Sequence, residues 1–401
     1  MKKPPTGVQL TPFDPLYLED PYPVIAQLRE QDPFHHDADL HRYFPCRYAD
    51  VKAILRNSDL LTDPNNSRPD SFARHFLGRE GEEVSMLFAD EPRHLRLRLL
   101  VNDLFKPKAV ESWRSRIEEV VDHFLDQIEG PDFDLIADFA EPVPTVVIAQ
   151  MMGIPAERQE DFKRWSTLGI EAAFSPDPSE QALADAQESM DLLANFFLKE
   201  IESRRKSPGI DLISQLVASA VDGDSLTDEE IVAQCSLLLL AGNLTTTDMI
   251  GNGIRALLEN PEQLAKLRDN PALIEATVEE ILRYDSPVLN SSRITAQDIE
   301  YQGVPVAKGE CLHVSLAGAN RDPEVYENPD KLDIERPGIQ HQSFGGGRHF
   351  CLGAPLARLE GQVAILRLLQ RFPKLQLSTR GLKQSFVPDF RGMEYCWLSI
   401  S

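Results

Sequence analysis

Apolar positions in this chain recur mostly at helical spacing. Near the start, Val24, Ile25 and Leu28 share one face of a predicted helix, a second helix is predicted over 49–57, and short strands lie between them. The pattern dissolves from Leu61 to Glu83, where Asp, Asn, Pro, Arg and Gly crowd together; a long loop with at most a short helix is predicted there. From 109 to 222 amphipathic helices alternate with short breaks, and Trp113, Ile117, Val120, Val121, Phe124, Leu125 and Ile128 fall on one stripe. Thr227 and Glu230 then stand at capping-box spacing, ahead of a proline-free run from Asp228 to Glu259. As one helix this run is about 48 Å long, enough to cross the whole protein. Its middle holds Gly242 and Thr245 to Thr247. Glycine in a helix interior costs about 1 kcal/mol relative to alanine, and threonine hydroxyls take carbonyl lone pairs, so a loosened turn is predicted.

Asn260-Pro261 and Asn270-Pro271 each read as a cap followed by a first-turn proline, predicting two further helices. Alternation through Ile294, Ile299, Tyr301, Val304 and Val306, with Gly303 and Gly309 as turns, predicts the main sheet. A last helix starts at Gly353, with Leu356, Leu359, Val363, Leu366 and Leu369 mostly on one stripe. The fold class is therefore mainly α with a small β portion, and no linker divides residues 1–401, so one domain is expected.

Composition, 42% hydrophobic and 26% charged, is that of an ordinary globular chain. The net charge of -23 argues against nucleic acid as a partner. Five cysteines (Cys46, Cys235, Cys311, Cys351, Cys396) lack paired spacing, which predicts a reducing, cytoplasmic location. The opening MKKPPTGVQLTPFDP has two lysines without an apolar run behind them, predicting neither a signal peptide nor a membrane anchor.

The stretch with most chemistry is SFGGGRHFCLGAPLARLE, Ser343 to Glu360. Glycines 345 to 347 and Gly353 strip side chains from around Cys351, which suits a tight loop against a flat partner. Cys351 also precedes a helix N-terminus, whose N–H groups and dipole favour the metal-binding thiolate. A dinucleotide loop would need a glycine where Phe350 stands, a covalently attached heme would need C-x-x-C-H, and zinc would find at most His349 and Cys351.

Phe344, Gly345, Arg348, Cys351 and Gly353 resemble the heme-binding loop of the cytochrome P-450 family. That resemblance implies a heme b cofactor, iron protoporphyrin IX, with Cys351 as its metal ligand. Further stretches carry it along the chain. Within DEPRHLRLRLL, His94 and Arg98 lie four apart on a helix and are implied to meet a heme propionate, as are Arg293 and His341. Ala241, Gly242 and Thr245 match the family's oxygen-binding groove, which implies that Thr245 relays protons to bound dioxygen. Where the family has an acid, this chain has Leu244. Asp248, three residues beyond Thr245 on a similar face, is the candidate substitute; water held by Thr245 and Asn243 is the alternative. Glu280, Arg283 and Arg336 match the family's structural lock ahead of the heme loop. Leu237, Leu240, Leu244, Val288, Leu289 and Phe386 are implied to line the substrate pocket, with Leu168, Ile170 and Phe174 near a lid hinge.

The implied function is a monooxygenase placing one oxygen atom of O2 into a C–H bond of a small, mostly apolar substrate. Electrons would come from a separate ferredoxin and ferredoxin reductase, since the chain has no room for a fused reductase. From Glu91 to Arg116 seven Lys or Arg meet three Asp or Glu, a local +4 that would steer an acidic donor through Arg93, Arg96, Lys106 and Lys108. Two other readings stand beside this one: a peroxide-driven peroxygenase, suggested by Leu244, and a non-catalytic heme sensor.

Overall fold

In the computed structural model, the described residues are 17, 19–38, 40–71, 73–74, 85–155, 158, 161, 164–165, 179–221, 224–385, 387 and 389–400. Leu168, Ile170, Phe174 and Phe386 lie outside them. The first helices are α1 (Pro21–Gln31) and α2 (Tyr48–Arg56), then α3 (Arg93–Val101), α4 (Arg114–Gln127), α5 (Pro142–Met151) and α6 (Glu180–Lys206). The long α7 (Asp228–Glu259), α8 (Ile274–Tyr284) and α9 (Ala354–Arg371) complete the main helical body.

Helix α7 organises the rest. Its start is fixed as the sequence predicts: Thr227 Oγ1 accepts from Glu230 N at 3.2 Å, and Glu230 Oε2 accepts from Thr227 N at 3.0 Å. It packs against α5, α6, α8 and α9 in the largest hydrophobic cluster. At its far end Asn260 caps backward, its side-chain amide donating to Ala256 O at 2.8 Å rather than serving the next helix, Pro261–Asp269.

Two sheets flank the helices. The larger has strands β1 (Phe34–Asp37), β2 (Arg42–Pro45), β3 (Leu60–Leu61), β5 (Asn290–Thr295) and β6 (Cys311–Ser315), in the order β1-β2-β6-β5-β3. The smaller joins β7 (Gln376–Gln384), β8 (Met393–Ser399) and β4 (Asp132–Asp134). The expected composition of the main sheet needs correction. Ile294 belongs to it, but Ile299–Tyr301 and Val304–Val306 pair only with each other as a separate hairpin. Their alternation marked strands correctly and could not say which partners they take.

Candidate active site

Residues 343–353 form the loop ahead of α9. Gly345 and Gly347 both have φ of 68°, and a Cβ on Gly347 would sit 2.5 Å from the Leu55 carbonyl oxygen. Only glycine lets the loop lie this close to the end of α2. Cys351 N closes the loop by donating to Phe344 O at 2.9 Å, and the Arg358 guanidinium covers the Phe344 ring at 4.5 Å. Gly353 is the last residue before α9 and has an ordinary backbone conformation. Burial raises the Cys351 thiol above its usual range, although the Gly353 and Ala354 N–H groups, Arg98 and Arg358 pull the other way. The N–H groups at the helix start favour the thiolate, as the sequence suggested, and burial opposes them; a cation at sulfur would add to the first.

Beside this loop stands a cluster of basic side chains, His94, Arg98, Arg293, Arg348 and His349, that outnumbers its carboxylates: Glu91 meets His94 Nδ1 at 3.2 Å and Asp90 lies 4.0 Å from Arg348. The imidazoles of His94 and His349 lie 4.0 Å apart, and the Nε2 of each is buried with no partner among the described residues. Burial, His94, Arg293, Arg348 and Arg98 together push His349 down to about 2. Burial, then Arg348, lowers Arg293 to about 10, with Asp90 opposing. Arg98, half-buried, donates to Phe350 O at 2.7 Å. A buried imidazole nitrogen with no partner, set among arginines, is costly unless an acidic group joins it. The two carboxylates of a heme supply that group, so the residues present fit the cofactor.

His341, expected at a propionate, and Arg348, expected only as part of the heme-binding loop, are both engaged elsewhere. His341 Nε2 pairs with Glu279 Oε2 at 3.2 Å, and its Nδ1 accepts from Ser343 N at 3.2 Å, leaving no ring nitrogen for a propionate. Arg348 donates to Ser58 O at 3.2 Å and Leu60 O at 2.5 Å, fastening the loop to the sheet edge. The residue that turns toward the cations is its neighbour His349, which sequence reasoning weighed only as a zinc ligand. In a glycine-rich loop spacing does not say which of two adjacent cations faces inward.

Midway along α7, one face is left uncovered by protein. Leu237, Leu240, Ala241, Leu244 and Thr245 are open or only partly buried, whereas Leu238, Leu239, Asn243, Thr246 and Thr247 are buried. Helical spacing puts the first five on one stripe. Thr245 Oγ1 donates to Ala241 O at 2.9 Å. The helix nonetheless runs unbroken through Gly242, where an added Cβ would meet nothing nearer than Ile148 at 3.9 Å. Asn243 faces the other way and accepts from Thr247 Oγ1 at 3.4 Å, so it does not share water with Thr245. Asp248 lies one turn on from Thr245, buried, with no hydrogen-bond partner among the described residues. A Cβ on Gly392 would come within 1.7 Å of its carboxyl. Burial, reinforced by Asp285, raises the Asp248 carboxyl well above the carboxylate range. Sequence reasoning passed over Glu360, on the inner face of α9, which burial raises to about 8.

Of the implied pocket strand, Val288 is partly open and bridged to Phe390, while Leu289 is committed to a cluster with Tyr17, Tyr22 and Phe44. Neighbouring residues of an extended segment point to opposite sides, so Leu289 is withdrawn from the pocket wall. Arg283 donates to both Glu280 oxygens at 2.7 Å, and Arg336 Nε reaches Glu280 Oε1 at 3.2 Å. Both arginines also bind carbonyls between Asn320 and Lys331, lacing that segment onto α8.

On the outer surface next to Cys351, the positive charge is partly cancelled. Arg96 pairs with Glu230 at 2.6 Å, and Lys106 with Asp103 at 2.6 Å. Beside the exposed Lys106 and Lys108 lie exposed apolar side chains, Leu95 (54%), Leu99 (50%) and Phe350 (43%).

Comparison with known proteins agrees with this geometry. The Cytochrome P450 family model matches residues 44–386. "Cytochrome P450 107B1" of Saccharopolyspora erythraea is 38% identical over 96% of both chains. "Cytochrome P450 monooxygenase PikC" of Streptomyces venezuelae is 37% identical over 94% of this chain and 90% of its own. Among solved structures, P450BioI in complex with hexadec-9Z-enoic acid ligated Acyl Carrier Protein superposes with a TM-score of 0.88 at 36% identity, covering 96% of this chain and 99% of that one. No helix among the described residues is long and apolar enough to cross a membrane. The chain belongs to the cytochrome P450 family, the heme-thiolate monooxygenases.

Proposed function

We propose that this enzyme, acting as one domain in the cytoplasm, hydroxylates a small, mostly apolar organic substrate with O2 and electrons from a separate ferredoxin and its reductase. The observation that carries the reading is the uncovered stripe of α7, where Leu237, Leu240, Ala241 and Leu244 present an apolar wall beside a single hydroxyl, Thr245.

Cys351 would hold the heme iron, and His94, Arg98, Arg293 and His349 would hold the propionates. When bound, the heme supplies the redox chemistry that takes two electrons and two protons, puts one atom of O2 into a C–H bond and releases the other as water. The protein's share is position, dryness and proton access. The leucines exclude water and favour hydrocarbon over polar groups. Thr245 Oγ keeps its proton on the Ala241 carbonyl and can turn it toward the open side. Asp248, whose carboxyl burial shifts toward the protonated form and which lies one turn away, is the proton donor next in line in place of the acid missing at Leu244.

The donor would dock on the apolar surface of Leu95, Leu99 and Phe350, with the basic residues at its rim. An acyl chain is one substrate that suits the site, as in the P450BioI complex. The test is an optical titration of the ferric holoenzyme with terpenes, steroids, fatty acids and aromatic acids. A spin-state shift with one apolar class is expected. Shifts confined to polar or charged compounds would overturn the reading.

A further inference from the structure

The register of β5 and β6 sets His313 opposite Ser292. His313 Nδ1 lies 2.8 Å from Ser292 Oγ, and its Nε2 lies 3.0 Å from Asp389 Oδ1. Asn290 Nδ2 donates to the same Asp389 oxygen at 2.8 Å. With Nε2 carrying the proton, His313 donates to Asp389 and accepts from Ser292, so one tautomer serves both contacts. A serine, histidine and aspartate in a row suggest a hydrolase relay, but His313 is buried and Asn290 shares the same Asp389 oxygen. The row has another use.

Asp389 belongs to neither strand. It sits in the turn between β7 and β8 with φ of 64°, a left-handed conformation that Asp and Asn tolerate better than most residues. Its backbone is fastened to the segment before β5: Leu289 N donates to Asp389 O at 2.8 Å, Arg391 N donates to Pro287 O at 2.9 Å, and Val288 bridges Phe390. On its other side the turn reaches α7, since Gly392 packs directly on Asp248. The turn therefore stands between Val288 and the Thr245 face of α7. Burial raises the Asp389 carboxyl, but His313, Arg42 and Asn290 together bring it down to about 2, so it is an ionised acceptor over the working range.

We propose that Asp389 is a positioning residue for substrate specificity: gripped by His313 and Asn290, it fixes the 389–392 turn against Val288 and so sets the pocket wall facing Thr245. This rests on the monooxygenase reading above. Substrates reaching beyond the iron would sense the grip, and ligands confined to the iron would not.

Two variants at one position separate the grip from the backbone. Asp389→Gly removes the carboxylate yet adopts positive φ freely, and Asp389→Asn keeps both the conformation and an acceptor oxygen. Heme-loaded wild type and variants are titrated with imidazole, which fills only the iron position, and with phenylimidazole, whose ring extends into the pocket. Asp389→Gly should weaken phenylimidazole about tenfold, as expected for losing a charged hydrogen-bond acceptor, and imidazole less than about twofold. Asp389→Asn should stay within about threefold of wild type for both. Equal effects on the two ligands, or no effect of Asp389→Gly, would overturn the proposal. The carbon monoxide difference spectrum of each reduced protein is the control. A thiolate band lost only in Asp389→Gly contradicts the proposal, because Asp389 would then support the whole heme pocket, whereas a band absent from wild type contradicts the assignment of Cys351 instead.

Discussion

Burial favours the protonated form of two carboxyls of this chain, Asp248 and Glu360, and the consequences can be measured separately. Asp248 lies on the Thr245 face, so its proton can be used. Asp248→Asn should let reductant oxidation continue while product formation falls about tenfold or more, and Thr245→Ala should do the same. Product per reductant equal to wild type in Asp248→Asn would remove Asp248 from the proton route. Glu360 is raised to about 8 from 4.5. A raised carboxyl binds more protons folded than unfolded, so its contribution is whole below about pH 4.5 and is lost as pH climbs toward about 8, by at most about 1.4 kcal/mol per unit. Glu360→Gln should therefore melt near wild type at about pH 5 and above it at about pH 8. A melting difference independent of pH would contradict this account.

Among the elements, α8 and the apolar surface of α3 carry the next tests. Glu280 and Arg283 are fully buried and grip one another in two hydrogen bonds. Removing Arg283 leaves the buried Glu280 carboxylate with only Arg336 and Asp333 N and takes a donor from three carbonyls, so Arg283→Ala should cost about 3–5 kcal/mol of stability and most of the bound heme. Retention of heme at wild-type melting temperature would contradict the role. On that surface, Phe350→Glu in the Cys351 loop or Leu99→Glu on α3 should slow reduction by the donor several-fold and leave the carbon monoxide spectrum unchanged. Because Arg96 and Lys106 already have carboxylate partners, added salt should slow reduction only modestly. A steep salt dependence would restore the purely electrostatic docking that the sequence suggested.

At the scale of the whole molecule, what could be read from the sequence divides by range. The capping box at Thr227, the proline-free span to Glu259 and the glycine-bracketed Cys351 are local signals, and the structure keeps each where the pattern put it. Pairing across the chain is different. Strand β6 runs parallel to β2, Cys311 beside Arg42, and no periodicity in either segment names the other. For the same reason the 299–306 hairpin was assigned to the wrong sheet, and Glu279, on a separate helix, took the imidazole of His341. The Arg348 and His349 exchange belongs with these, since only the packing of α2 against the loop decides which of the two points inward. The central claim is that the stripe of α7 holds an apolar molecule for oxygenation with O2 at the heme that Cys351 would hold. Its most direct test is turnover, with a ferredoxin and reductase, of whichever titrated ligand shifts the spin state most, under dioxygen labelled with the heavy oxygen isotope. The account predicts one labelled oxygen atom in the product. An oxygenated product without label, or one formed equally well from peroxide in the absence of dioxygen and reductant, would contradict it.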